Sequence, residues 1–484
     1  MTTIQQALHI FRKDAQHLRF ELAATGLLLV FLLLTGVKTW EALQEGGGRT
    51  PIPMAPLAML LVISWSMLIA RVIQTEALPG DRHFWLTRPY SRASLVLSKA
   101  LFIVAFINLP LLITQAAIVL LDGLPLSSNL GGLFGNQLLL TVVVLLPVAA
   151  IAALTRNLAQ FLPATVVVVG AIGAAILGRR GYGDLEWVPS VLGSVLAIAV
   201  AGFILWRQYR LRRSAHTAVM GVAATAVCLL LYTAFPKGAA FAVQSQLKGS
   251  PGSGFALSLG QPLPRSQDPV VPNRYRQLVA LPIVVQGANP VDLRIQSAEL
   301  TFKTLSGVQR RTNAHVEIDK EQLRYLVSLD RTFFDAAKDS PVHLKAELYL
   351  TQYGNSRSAE VPLDGTPVYV SGLGQCGVIA AYNRRQFVCR SAFRNPKPFQ
   401  SEQVIPWQGY DPLRDTWYGP QLPFLVHPIS YRSYEFVKAD PVAPASPLQP
   451  TSLLIRDPIA YFRYTMDAAN VRLGDYAIDP NGNR

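Results

Sequence analysis

Long apolar segments without charge recur through the first half of the chain. A helix needs about 20 such residues to cross the hydrocarbon core of a bilayer. Charged residues close most of these segments, and turn-forming residues separate the others. The pattern therefore predicts an α-helical membrane domain with about seven spans over residues 22–236. The predicted bounds are 22–37, 51–70, 100–121, 133–155, 157–178, 188–206 and 215–236.

The uncharged segment that holds the fourth span covers residues 123–155 and is too long for one helix. Its first part is rich in residues that favour turns. They are Pro125, Ser127, Ser128, Asn129, Gly131 and Gly132. The sequence therefore predicts a loop here, followed by a helix that begins near residue 133.

An amphipathic pattern precedes the first span. Apolar residues recur at spacings of four and three, which place them on one face of a helix. They are Ile4, Leu8, Phe11, Ala15 and Leu18. Residues 1–21 are therefore predicted to form an interfacial helix, with its apolar side in lipid and its cations near the headgroups. The alternative is a plain cytoplasmic extension of the first span.

The third span carries several polar side chains among its apolar residues. They are Asn108, Thr114 and Gln115, and Pro110 lies between them. Because proline lacks an N–H group, it predicts a kink in this helix. The polar groups are interpreted either as the lining of a substrate path or as hydrogen-bonding partners of neighbouring helices.

Short, often alternating apolar segments replace the long ones in the second half. A connector rich in Gly, Ser and Pro is predicted over residues 237–273, followed by a mainly-β domain over 274–484. Repeated short strands with turns between them suggest a β-sandwich. The predicted strands are 277–285, 293–303, 315–318, 342–351, 367–370, 377–381 and 433–437, with 461–465 as a further candidate. Residues 321–336 are predicted as a helix or an edge insertion.

Charge divides the chain at the same point. Residues 1–240 hold 18 basic residues (Lys and Arg) and 9 acidic residues (Asp and Glu). Residues 241–484 hold 26 basic and 21 acidic residues. The net charge of +14 does not indicate a nucleic-acid partner, because the excess in the first half lies at the ends of apolar segments. With the N-terminus in the cytoplasm, thirteen Lys and Arg fall on the cytoplasmic side and five on the other. Seven spans across a bacterial-type inner membrane then place the β-rich domain outside the cytoplasm.

The cysteines test this orientation independently. Cys376 and Cys389 flank a polar segment, and a two-residue turn at Tyr382 and Asn383 would place them opposite each other on a hairpin. Such a pair suits a disulfide, which persists in oxidising compartments. The alternative is two free thiols in a cytosolic domain. Cys228, in the seventh span, is interpreted as a small buried apolar residue.

The loop between the second and third spans carries the most specific pattern. An acidic residue, Glu76, follows the second span, and Leu86, Pro89, Ser91 and Arg92 precede a helix that contains Lys99. Pro89 ends a helix and Ser91 is well placed to cap the next one. This ordered pattern resembles the permease subunits of ATP-binding-cassette exporters of the type-2 superfamily.

That resemblance implies a partner. In the family, a short helix in this loop transmits ATP-driven motion from a cytoplasmic ATP-binding subunit to the spans. The interface residues predicted here are Glu76, Asp81, Arg82, Trp85, Arg88, Pro89, Ser91, Arg92 and Lys99. The charged ones offer salt bridges and Trp85 offers an aromatic anchor. The alternative is an ordinary basic inner loop with an aromatic residue at the membrane interface.

The sequence lacks the motifs that would make the chain itself an ATPase or another enzyme. It contains no phosphate-binding G-x-x-x-x-G-K-[ST] loop, so ATP is expected on a separate subunit. Neither a G-x-S-x-G elbow nor a metal-binding histidine pair occurs. The favoured hypothesis is an exporter permease that pairs with a second permease subunit, most simply as a homodimer. Because the seventh span and the outer domain depart from the family, the alternative is a membrane-anchored protein that binds or senses a ligand without transport.

Overall fold

The computed structural model describes residues 2–37, 54–75, 91–178, 187–211, 214–246, 255–262, 276–287, 293–319, 322–381, 384–393, 399–400, 404–406, 426, 428–436 and 450–478. The described residues include seven helical segments long and apolar enough to cross a membrane, the number that the sequence predicts. Their bounds are Arg19–Gly36, Pro56–Gln74, Arg92–Leu121, Leu126–Leu154, Leu158–Ala175, Val188–Arg210 and His216–Ala234.

The helices are numbered here in chain order, and two spans consist of two helices each. They are α1 Thr3–His17, α2 Arg19–Val37, α3 Met54–Gln74, α4 Arg92–Ile103, α5 Leu109–Leu121, α6 Leu126–Leu140, α7 Leu146–Leu154, α8 Leu158–Gly178, α9 Trp187–Leu211, α10 Ser214–Ala234, α11 Lys237–Ser245 and α12 Arg331–Ala337. The third span joins α4 to α5, and the fourth joins α6 to α7.

Helix α1 lies against α4 at the start of the third span. Its buried residues within the helix are Ala7, Ile10 and Asp14. Of the predicted apolar face, Ile4 and Leu8 are exposed whereas Leu18 is buried against other helices. Phe11 is half-buried and stacks on Phe106, with ring centroids 5.4 Å apart. One side of α1 packs on protein, and its location in the membrane interface stays a prediction.

The fourth span begins earlier than predicted. Helix α6 covers most of residues 125–132, so the prediction of a loop was wrong. The side chain of Asn129 donates a 2.8 Å hydrogen bond to the carbonyl of Pro125 at the start of the helix. A Cβ atom added to Gly132 would lie 2.6 Å from the side chain of Phe393 in the β region. These residues therefore begin and pack a helix instead of breaking one.

Two π-helical turns interrupt the third and fourth spans. The first, Val104–Asn108, precedes Pro110, and the second, Thr141–Leu145, precedes Pro147. A proline has no N–H to donate, and its ring collides with the carbonyl four residues earlier in a regular α-helix. A wider turn relieves that collision. The distortion predicted at Pro110 therefore takes the form of a π turn.

The second half is mainly β, as predicted. Its strands are β1 Ala256–Leu259, β2 Arg276–Gln286, β3 Leu293–Thr304, β4 Gln309–Asp319, β5 Gln322–Asp330, β6 Val342–Val361, β7 Val368–Val370, β8 Gly374–Ala381, β9 Arg384–Ala392, β10 Phe399–Gln400, β11 Val404–Pro406, β12 Ile429–Phe436 and β13 Thr451–Val471. The segment 321–336, predicted as a helix or an insertion, mostly forms β5 and the start of α12. The predicted connector, 237–273, contains α11 and β1.

These strands form two sheets. Eight are ordered β1-β2-β5-β4-β3-β6-β13-β10, and five are ordered β11-β12-β9-β8-β7. The longest pair, β6 and β13, runs antiparallel from Val342 and Val471 at one end to Val361 and Thr451 at the other. One buried apolar cluster combines side chains of β2 and β5 with those of β3, β6 and β13. The larger sheet therefore has one core shared by strands from both of its halves.

The cysteines of the smaller sheet occupy the predicted positions. Cys376 in β8 and Cys389 in β9 are direct partners across the strands, and they form a disulfide. Both side chains are fully buried. The predicted turn residues 382–383 lie outside the described residues, but Ala381 and Arg384 on either side of them pair with each other. The predicted hairpin disulfide is therefore confirmed.

Replacing Cys376 and Cys389 together with alanine is expected to lower the free energy of unfolding by about 3 kcal/mol. The disulfide links residues 13 positions apart, so it restricts the unfolded chain, and its loss restores that freedom. Thermal unfolding of the full chain, followed by tryptophan fluorescence, measures the change. Cys228→Ala is the matched control, because that thiol is free. An unchanged midpoint in the double variant would contradict the prediction.

Candidate functional site

The predicted docking residues fall into two groups. The structure describes Ser91, Arg92 and Lys99, at the start of α4. The others lie outside the described residues, and they are Glu76, Asp81, Arg82, Trp85, Arg88 and Pro89. The described group shows how the helix that follows the loop is held.

Ser91 caps α4 as predicted. Its hydroxyl oxygen accepts a hydrogen bond of 3.1 Å from the backbone N–H of Ser94, which satisfies one of the free donors at the helix start. The N–H of Ser91 in turn donates to the side-chain oxygen of Gln6 in α1, at 3.3 Å. The start of α4 is therefore fixed both by its own cap and by α1.

The ammonium group of Lys99 lies against α1. Its ammonium group lies 2.7 Å from a carboxylate oxygen of Asp14, and the side chains are 7% and 6% exposed. A partner protein has little access to a lysine buried to this extent. The structure thus places Lys99 in an internal contact between α1 and α4, away from the surface on which it was predicted to bind a partner. Sequence analysis missed Asp14, because 85 positions separate the two residues.

Arg92 follows Ser91 at the start of α4, and its side chain is exposed. Its guanidinium group donates a 3.3 Å hydrogen bond to the backbone carbonyl of Arg210, in the last turn of α9. Arg210 lies over the ring of Trp206, with 5.2 Å between the guanidinium carbon and the ring centroid. The first turn of the third span is therefore linked to the last turn of the sixth.

A cavity of about 620 Å³ lies behind this contact. Its walls come from α3, α4, α7, α9 and the second π turn, and its lining is almost wholly apolar. Apolar lining residues include Ile73, Ile103, Leu145 and Leu205, whereas Arg92 and Arg210 line its end. The volume is within the usual range for a small-molecule site, about 300–1,000 Å³.

Polar side chains continue from the cavity into the bundle. Thr141 lines the cavity, and its hydroxyl accepts a 2.8 Å hydrogen bond from the side chain of Asn108. The two π turns are therefore joined to each other. One turn further along, the side chain of Gln137 donates to that of Gln115 at 3.0 Å. We call Asn108, Gln115, Gln137 and Thr141 the polar ladder.

Three buried polar atoms along this part of the bundle have no hydrogen-bond partner among the described residues. They are the indole nitrogen of Trp65 and the side-chain oxygens of Asn108 and Gln137. Buried polar groups are usually paired, because an unpaired one costs about 1–3 kcal/mol. Each of these three atoms has a hydrogen-bonding position that no described residue fills. Sequence analysis named Asn108 and Gln115, but it offered no signal for Trp65.

The β region covers the far end of the ladder. Gln115 donates a 3.0 Å hydrogen bond to the backbone carbonyl of Val426. The side chain of Val426 is fully buried within the apolar core of the helical bundle. A residue of the second half of the chain thus reaches into the first half, at the end of the bundle opposite the cavity.

An ion pair joins the two halves beside this contact. Arg390 of β9 lies 3.1 Å from a carboxylate oxygen of Asp122, and both side chains are nearly buried, at 8% and 5% exposed. The same guanidinium donates to the backbone carbonyl of Asp122 and to the side chain of Gln375. Burial raises the pKa of the Asp122 carboxyl, whereas the attraction of Arg390 opposes the rise. The junction is thus a charged contact shielded from water.

The chain was compared with known protein families, curated proteins and solved structures. No protein-family model, curated protein or solved structure matches this chain.

Proposed function

We propose that this chain is the membrane-spanning permease subunit of an ATP-driven exporter. A separate ATP-binding subunit would dock on the loop between the second and third spans, and a second copy of the chain would complete the permease. The main support is the 620 Å³ cavity together with the line of hydrogen-bonded polar side chains that runs from Thr141, on its lining, toward Val426. Polar groups inside membrane helices commonly mark substrate pathways.

The contacts of α4 provide a route for coupling. This helix directly follows the docking loop, and it forms one wall of the cavity. Ser91 and Lys99 join it to α1, and Arg92 joins it to α9. A force on the loop would therefore move α4, α1 and the end of α9 together. Such a movement would change the width of the cavity.

The orientation belongs to the same proposal. The excess of Lys and Arg on one side, thirteen against five, favours a cytoplasmic position for the docking loop. The disulfide between Cys376 and Cys389 favours an oxidising compartment for the β region. We further infer that the β region is a sandwich, because strands from both halves of the larger sheet share one core.

A second candidate function is sensing. The Asp122–Arg390 pair and the buried Val426 connect the smaller sheet to the ends of the third and fourth spans. A ligand that moved this sheet would therefore displace the spans without any need for transport. ATP-independent ligand binding with no ATPase partner would favour this candidate.

Co-purification tests the exporter proposal. The intact chain is isolated from gently solubilised membranes of its own source, and bound ATPase is measured by activity and mass spectrometry. Arg88→Glu with Arg92→Glu is expected to reduce the retained ATPase at least tenfold, since reversed charges repel the same partner groups. Lys13→Glu, on the exposed side of α1, is the matched control. A preparation without ATPase, under conditions that preserve related complexes, would exclude the docking model.

A further inference from the structure

The cavity has a mixed chemical character. Its apolar wall includes residues from four helices, and Val96 and Trp206 on its lining are 47% and 53% exposed at the bundle surface. A cavity that reaches this surface is open to the hydrocarbon of a surrounding bilayer. An apolar chain that entered it would stay out of water on all sides.

The cations lie together at one end of this cavity. Arg92 is in the first turn of α4 and Arg210 in the last turn of α9. Neither guanidinium has a carboxylate partner in the part of the chain that the structure describes. Lys99, which also lines the cavity, has its charge paired with Asp14. The two arginines therefore concentrate positive charge beside an apolar space.

We propose that this cavity binds an anionic phospholipid from the adjacent leaflet. One acyl chain would occupy the apolar space between α4 and α9, and the phosphate would lie between Arg92 and Arg210. Basic pockets between helices at the cytoplasmic side of a membrane bind anionic headgroups in this way, and guanidinium groups are suited to phosphate. The inference rests on the proposed membrane orientation but not on transport or on an ATPase.

The chain alone suffices for the test. Full-length protein in detergent is incubated with palmitoyl-oleoyl phosphatidylglycerol or with the matched phosphatidylcholine, and retained lipid is counted by native mass spectrometry. The parent is expected to retain phosphatidylglycerol preferentially. Each of Arg92→Gln and Arg210→Gln is expected to lower this preference about fivefold, the factor for one basic residue near an anionic surface. Arg207→Gln is the matched control, because Arg207 donates to Met220 and does not line the cavity.

A second variant tests the apolar part of the site. Ala100 lines the cavity and is exposed, so Ala100→Phe is expected to fill the space without disturbing the core and to reduce retention of both lipids. Size-exclusion chromatography verifies that each variant is folded. Equal retention of the two lipids by the parent, or unchanged preference in the arginine variants, would overturn the proposal. So would displacement by soluble glycerol phosphate at the concentration of the lipid. Absence of a co-purified ATPase leaves this measurement unaffected.

Discussion

Replacing Arg390 with methionine is expected to lower the free energy of unfolding by about 3–5 kcal/mol. The substitution keeps an unbranched side chain of moderate size, but it leaves the carboxylate of Asp122 buried without its cation. Asp122 is 5% exposed in this pair, so water has little access to the carboxylate that would lose its partner. Thermal unfolding of the purified chain, followed by tryptophan fluorescence, measures the loss as a lower midpoint.

Two comparisons make this result specific. Arg357→Met removes an exposed pair with Asp457 and is expected to cost less than about 1 kcal/mol. Arg390→Met combined with Asp122→Leu removes both charges and is expected to be much less destabilising than Arg390→Met alone. If the double variant is as unstable as the single one, packing and not charge accounts for the loss.

The same variant has a predictable response to pH. The pKa of Asp122 is already raised by burial from its usual value of 3.8, and removal of Arg390 raises it further. A carboxyl with a higher pKa in the folded state stabilises that state at low pH, and this contribution is lost as the pH rises through the folded pKa. The difference in the free energy of unfolding between the parent and Arg390→Met should therefore become smaller as the pH falls. If this difference grows as the pH falls, the buried carboxylate of Asp122 is not the cause of the lost stability.

Lys99→Met is expected to lower the free energy of unfolding by about 3–5 kcal/mol, again because one buried charge loses its partner. Here the affected contact is local, since Asp14 and Lys99 join α1 to α4. Hydrogen exchange in α1 should increase more than exchange in the other helices. The measurement is hydrogen–deuterium exchange with mass spectrometry, combined with the thermal midpoint.

Lys13→Met provides the comparison for this prediction, because Lys13 is exposed on the same helix as Asp14. Asp14→Leu combined with Lys99→Met should recover most of the lost stability by replacing the pair with apolar side chains. Uniform exchange across all helices in Lys99→Met would show that the ion pair supports the whole bundle and not only the attachment of α1.

Features encoded by nearby residues were predictable from the sequence. Segment length and flanking charges predicted the seven long apolar helices, and a short polar segment predicted that Cys376 would face Cys389. The cap at Ser91 was predictable because it depends on a residue three positions away. Each of these properties is fixed within roughly 20 residues of sequence, the length of one span.

Features that depend on distant contacts were not predictable. Residues 125–132 have the composition of a loop, but Gly132 allows Phe393 to approach a helix from more than 200 positions away. The burial of Lys99 beside Asp14 is a second example, because a single sequence gives no signal for that pair. Arg390 likewise had no distinguishing pattern within the β region. Ion pairs between elements distant in sequence require the fold before they can be recognised.

The hydrogen bond between Gln115 and Val426 sets an order of events during biosynthesis. The two residues are 311 positions apart, and a ribosome that adds about 5–20 residues per second reaches Val426 roughly 15–60 s after Gln115. All seven spans are complete within that interval, while the end of the bundle that Val426 covers is still open. Closure of the interior is therefore a late step in biogenesis. Nascent chains that end before residue 426 would contain every span and yet expose the buried amides to the surroundings.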